Sequence, residues 1–142
     1  ERGVFMSTIF EKIIAREIPA HIVYEDDLVI SFLDISQATS GHTLVVPKKA
    51  FENIFEMPDD LLAHTIKITK KVADACKKAF PLEGLNILSN NGTVAGQTVF
   101  HFHFHVIPRY ESSDVMFKFI NHMNETTKED YKKRALQIIE AL

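Results

Sequence analysis

The chain has no tryptophan, one cysteine, and only five glycines and five prolines among its 142 residues. Glycine and proline this sparse exclude a collagen-like repeat and a flexible low-complexity linker. Cys76 cannot close an internal disulfide, so a disulfide-stapled fold is excluded and a reducing compartment, the cytoplasm, is expected. No apolar run approaches the roughly 18–20 residues needed to cross a bilayer. A basic excess is missing too: 16 Lys plus Arg stand against 19 Asp plus Glu, a formal charge of −3. General nucleic-acid binders usually carry the opposite balance. With 46% apolar residues and no internal repeat, one globular domain is expected. A chain of this length buries about two thirds of its unfolded surface. What the sequence has in excess is histidine. There are seven, and His101, His103 and His105 fall within five residues.

Residues 1–5 precede Met6 and lack the layout of a secretory leader, so they are read as a tag remnant and set aside. Thr8 and Glu11 form a capping-box pattern ahead of helically spaced Ile9, Phe10, Ile13 and Ile14, predicting a short helix to about Glu17. Two apolar runs, 21–24 and 28–33, flank an acidic turn and read as a hairpin. A third strand is expected over 43–46. Asp59 or Asp60 caps a long helix whose stripe is Leu62, Ile66, Thr69, Ala73, Cys76 and Phe80. Residues 85–89 read as a buried strand, Asn90-Asn91-Gly92 as a turn, and 99–107 as a strand stopped by Pro108. After Asp114 the pattern turns helical, with a last helix from Thr127 and Asp130. Meandering strands with helices set apart predict an α+β fold.

Side chains alternate across a strand, so a strand over 99–107 places His101, His103 and His105 on one face, about 7 Å apart. Phe102, Phe104 and Val106 then face the core. Imidazole offers a proton near neutrality and a nucleophilic nitrogen, so such a row can do chemistry. A metal site is the competing reading, because His-x-His on a strand suits zinc. No Cys-x-x-Cys and no acid just before the row support it. The preceding loop favours phosphate: backbone N–H groups around Gly92 and Gly96, with Asn90, Gln97 and Thr98, can cradle an anion without a Lys/Arg cluster.

The run His101-Phe102-His103-Phe104-His105-Val106-Ile107 resembles the His-φ-His-φ-His-φ-φ signature of the histidine triad (HIT) family. The resemblance extends through Phe32-Leu33-Asp34-Ile35, Gly41-His42-Thr43-Leu44-Val45-Val46-Pro47-Lys48 and Gly96-Gln97-Thr98-Val99. It implies a domain over 6–110, an antiparallel sheet of about five strands, a short first helix and a long central one. Residues 111–142 would add a helical extension packed on the same domain or on a dimer partner.

The resemblance further implies a homodimer that hydrolyses purine nucleotide conjugates at the α-phosphate and releases a nucleoside monophosphate. His103 would be the nucleophile, forming a nucleotidyl-histidine, and His105 would contact the phosphate. His101 would support them, with His42 as its neighbour. Asn90, Gly96, Gln97 and Thr98 would hold the phosphate and Asp34 the ribose. Ile9, Phe10, Ile13, Ile18, Phe32, Ile35 and Leu44 would form the base pocket. His105, where transferase relatives carry Gln, points to a hydrolase.

Many bacterial relatives hold a structural zinc, but the corresponding positions here are Thr8, Glu11 and Ala50, so no metal or other cofactor is expected. Pro108-Arg109 resembles the dinucleoside polyphosphate hydrolase branch more than the phosphoramidase-type HINT branch, which leaves both substrate classes open. A nucleotide-binding regulatory or scaffold protein with incidental hydrolysis is the alternative function.

Overall fold

The computed structural model describes residues 7–142, so the suggested remnant at 1–5 lies outside the described residues. A first helix α1 (Ile9–Ile14) leads into strands β1 (Ile22–Glu25), β2 (Val29–Leu33) and β3 (Thr43–Pro47). Helix α2 (Asp59–Ala79), strands β4 (Gly84–Leu88) and β5 (Phe104–Arg109), and helix α3 (Lys128–Ala141) complete the chain. The strands form one antiparallel sheet in the order β1-β2-β3-β5-β4. The expected α+β architecture is the one observed.

Strand parity divides the core in two. Ile30, Phe32, Leu44 and Val46 meet Phe10 and Ile13 of α1 on one face. Val29, Val45 and Val106 meet Ile68, Val72 and Cys76 of α2 on the other. Both faces of β2 and β3 are therefore covered, which explains their continuous apolar runs. Phe104 and Val106 belong to the α2 face, so His105 between them turns toward α1.

The helices and one edge strand depart from expectation in detail. The first helix stops at Ile14, because Arg16 adopts φ 63°, a left-handed conformation that ends a helix. The buried stripe of α2 is Thr65, Ile68, Thr69, Val72 and Cys76, whereas Ile66 is 41% exposed. Two threonines lie in the buried stripe because their hydroxyls donate back to the carbonyls of Leu61 and Thr65, which removes the cost of an unpaired polar group. Pro58 precedes α2 without a side-chain cap, and Asp59 and Asp60 lie in its first turn. Strand β4 is only partly buried, since it forms an edge of the sheet.

The histidine segment and residues 108–122 also differ from expectation. The strand begins at Phe104 and runs through Pro108, whose carbonyl accepts from Thr39 Oγ1 at 2.6 Å. Residues 111–122 contain no helix. The Asp114 carboxylate accepts from the amides of Tyr110 and Glu111 and pairs with Arg109, closing a turn instead. The expected last helix does start at Thr127 and Asp130, which form a capping box, and none of the residues of α3 is buried. No helix among the described residues is long and apolar enough to cross a membrane.

Ile30 is fully buried between two strands. Ile30→Ala is expected to cost about 2–5 kcal/mol, read as a lower urea midpoint with an unchanged slope.

Candidate functional site

Only His105 of the three clustered histidines lies within β5; His101 and His103 sit on the irregular segment before it. The rings of His103 and His105 are consequently 4.9 Å apart, closer than an extended strand would place them. His101 is fully buried, and its Nε2 lies 2.7 Å from the Pro47 carbonyl while Nδ1 lies 3.1 Å from the Thr8 hydroxyl. A carbonyl only accepts, so Nε2 carries the proton and Nδ1 takes the hydroxyl's. The expected pairing of His101 with His42 is not found. His42 instead meets His105.

The same reasoning fixes the other rings. His103 Nδ1 lies 2.7 Å from the His101 carbonyl, so it donates there and leaves a lone pair on Nε2. The Ala38 amide donates to His42 Nδ1 at 3.1 Å, so the proton of neutral His42 is on Nε2. That nitrogen is 2.9 Å from His105 Nδ1 and 3.5 Å from the Asp34 carboxylate. His105 therefore accepts at Nδ1 and offers an N–H at Nε2. Neighbouring rings thus present a lone pair at His103 and a donor at His105.

Burial keeps them neutral. Desolvation holds His42 and His103 below the usual imidazole range, the Asp34 charge opposing it in both and the hydrogen bond to the His101 carbonyl opposing it in His103. His105 is pushed down to about 4 by desolvation and by His103 and His42, against the pull of Asp34. Phe10 supplies part of that cover, standing edge-on to His103 with centroids 4.9 Å apart.

Two adjoining cavities meet at these rings. One, of about 280 Å³, is lined by Asp34, Asn90, Gly96, Gln97, Thr98, His103 and His105. It also takes in Val99, the last residue of the Gly96-Gln97-Thr98-Val99 motif, and Ser36, which no sequence signal marks. The other, of about 310 Å³, is apolar and is lined by Ile9, Phe10, Ile13, Ile18, Phe32, Ile35 and Leu44, with Asp34 at its border with the first. All seven apolar residues expected in one pocket converge there. Gln97 has a different use from Asn90 and Thr98. Its amide accepts from Gly92 N and donates to the carbonyls of Glu52 and Val99, so it shapes the loop. Gly96 turns that loop at φ 95°, in the left-handed region.

Two residue sets bear on metal binding. One ligand atom each from Asp34, His42 and His105 lie within 4.8 Å of one another. A metal on His42 Nε2 would require the ring proton on Nδ1, where the Ala38 N–H already points. At the other place Thr8 and Glu11 bond each other as the cap of α1, and Ala50 offers no ligand. The hydrogen bonds of both sets thus compete with a metal ion for the same atoms.

The HIT domain profile matches residues 15–112. Protein hit of Bacillus subtilis (strain 168) is 48% identical over 131 residues, covering 92% of this chain and 88% of that protein. An adenosine 5'-monophosphoramidase of Schizosaccharomyces pombe is 41% identical over 104 residues, covering 73% of this chain and 75% of that one. A crystal structure of a HIT family member from Bacillus subtilis superposes with a TM-score of 0.92 at 43% identity, covering 96% of this chain and 98% of that one. A zinc-bound histidine triad family protein from Mycobacterium smegmatis gives 0.74 at 31% identity, covering 96% and 98%.

Stability should track these rings. The unfolded chain takes up protons near pH 6.5, while folded His42, His103 and His105 resist protonation to lower pH. Between those values the unfolded state binds more protons, so stability falls as pH drops. A urea midpoint lower at about pH 5 than at about pH 7.5 is expected, and replacing His105 with Gln should flatten the difference.

Proposed function

Because the chain belongs to the histidine triad family, we propose that it hydrolyses a purine nucleotide conjugate at the α-phosphorus, with His103 as nucleophile. The observation carrying this reading is the paired tautomers: a lone pair on His103 Nε2 beside a donor on His105 Nε2, both on one small cavity. His103 Nε2 forms a bond to phosphorus, and the bond to the leaving group breaks, its electron pair departing with that group. Water then attacks phosphorus, the P–N bond to His103 breaks, and the nucleoside monophosphate is released. One difficult displacement becomes two easier ones. His105 Nε2–H stabilises charge on the phosphate oxygens during both, and backbone amides near Gly96 with Asn90 hold the phosphate. Thr98 orients the leaving group. Asp34, whose carboxylate also accepts from Ser36 N at 2.8 Å, takes the ribose hydroxyls, and the apolar cavity takes the base.

The leaving group is an amine or a nucleoside polyphosphate. No metal or cofactor takes part in this scheme. On the same reading the catalytic domain spans 6–110, in a homodimer in the reducing cytoplasm, where a lone buried thiol such as Cys76 persists. Support for the dimer comes from the half-exposed edge strand β4 and from the exposed apolar side chains Met116, Phe119 and Ile120 of the extension.

An adenosine phosphoramidate and diadenosine polyphosphates should be assayed side by side. His103→Ala is expected to reduce turnover to background, on the order of a thousandfold or more, with nucleotide affinity nearly kept. Unchanged turnover in that variant overturns the mechanism. Nucleotide binding without turnover on either class would favour the regulatory reading. Light scattering at micromolar concentration should give twice the chain mass, and a monomer contradicts the dimer.

A further inference from the structure

We infer that Gln37 is a positioning residue: its side-chain amide holds the loop that places the Ala38 N–H on His42 Nδ1, and so fixes the proton that His42 gives to His105. This rests on the proposed hydrolytic role of His105, but the ligand-free spectra that decide it do not.

Gln37 is one of two non-glycine residues among the described residues with positive φ, at 37°. That conformation is costly for a side chain with a Cβ and would suit glycine. The side chain explains why glutamine stands there. Although Gln37 is exposed, both ends of its amide are bound. Nε2 donates to the Asp34 carbonyl at 2.6 Å and to the His42 carbonyl at 2.7 Å. Oε1 accepts from Gly41 N at 2.9 Å. One amide thus ties the start of the loop to its end, bringing Asp34 and His42 together. Two backbone bonds run the same way, from Asp34 N to His42 O at 3.0 Å and from Gln37 N to Asp34 O at 3.2 Å. The next N–H along, that of Ala38, is then 3.1 Å from His42 Nδ1.

That single N–H occupies the only lone pair neutral His42 has in its ring plane. While it stays there, His42 cannot take a second proton, and its Nε2–H remains turned to His105. The other groups facing His42 do not set the tautomer alone. Asp34 at 3.5 Å favours a proton on Nε2 but also favours a doubly protonated ring, while His103 and His105 oppose positive charge. Removing the amide of Gln37 therefore exposes Nδ1 without removing any group that touches substrate. Thr39 Oγ1 on the Pro108 carbonyl at 2.6 Å and the Tyr110 hydroxyl on the Ser40 carbonyl at 2.7 Å still pin the loop to β5 and the residue after it.

The test compares the full chain with Gln37→Gly and Gln37→Glu. Glycine relieves the backbone and isolates the loss of the amide. Glutamate keeps the acceptor for Gly41 N but loses both donors. Long-range ¹⁵N spectra of the histidines, without ligand, should show His42 in the wild type with an unprotonated, hydrogen-bonded Nδ1 and a protonated Nε2. Both variants should shift Nδ1 and raise the pH at which His42 protonates. With the preferred nucleotide conjugate, kcat should fall about ten- to a hundredfold, with its acid limb moved to higher pH and a smaller change in KM. Variants that lose thermal stability but keep the His42 nitrogen shifts and protonation midpoint would reduce Gln37 to a structural role and overturn the inference. A wild type with the stated His42 spectrum but no turnover would overturn the hydrolase reading and leave this inference decided by the spectra.

Discussion

A neutral imidazole offers one lone pair and one proton, and in this site the main chain decides which nitrogen carries which. The His101 carbonyl takes the proton of His103 Nδ1, and the Ala38 amide fills the lone pair of His42 Nδ1. What the two rings facing the cavity, His103 and His105, can offer depends on those two contacts. His103 is left with an electron pair, and His105, fed by His42, is left with a donor. Neither contact depends on a rotamer of its own donor or acceptor, although the Ala38 amide is held in place by the Gln37 side chain. The geometry also requires His103 to lie outside the ladder. As a residue of β5 it could not fold back on the carbonyl two positions earlier.

The sheet supplies the surroundings that keep those rings neutral. Because β2 and β3 are covered on both faces, the α1 face is an apolar wall into which the histidines are set. Phe10 serves both the core and the site, meeting Phe32 edge-on at 5.5 Å and His103 at 4.9 Å. Helix α1 is only six residues long, so its position depends on its cap and on this packing. Thr8 carries the cap and also donates to His101. The start of the helix and the back of the site are therefore one hydrogen-bonded unit.

Much of this is legible from spacing. The five strands, the long helix and the capping box of α1 come from periodicity and cap chemistry, and the residues of the apolar cavity come from the family resemblance. What escapes shares a cause. Thr65 and Thr69 are buried in α2 because their hydroxyls bond within the helix, which apolar counting does not see. The alternation of His101 to His105 reads as a strand, yet the irregular backbone there is decided by contacts with Phe51, Pro47 and Thr8. The partner of His42 is hidden from spacing because register between β3 and β5 sets it: Leu44 lies opposite His105. Ala38 contributes through its N–H, and no side-chain pattern marks a backbone donor. Gln37 carries no signal either, because a polar residue in a loop ordinarily needs no explanation.

Among the described residues, neither of the two cavities at the histidines is lined by lysine or arginine. Amides and uncharged rings attract a phosphate through short, directional contacts and contribute little long-range field. Association at such a site should be almost indifferent to ionic strength, unlike that of a basic phosphate binder. The same arrangement helps release. On the proposed hydrolysis, a departing dianion would leave behind no cation among the described lining residues, so the site would clear without breaking an ion pair.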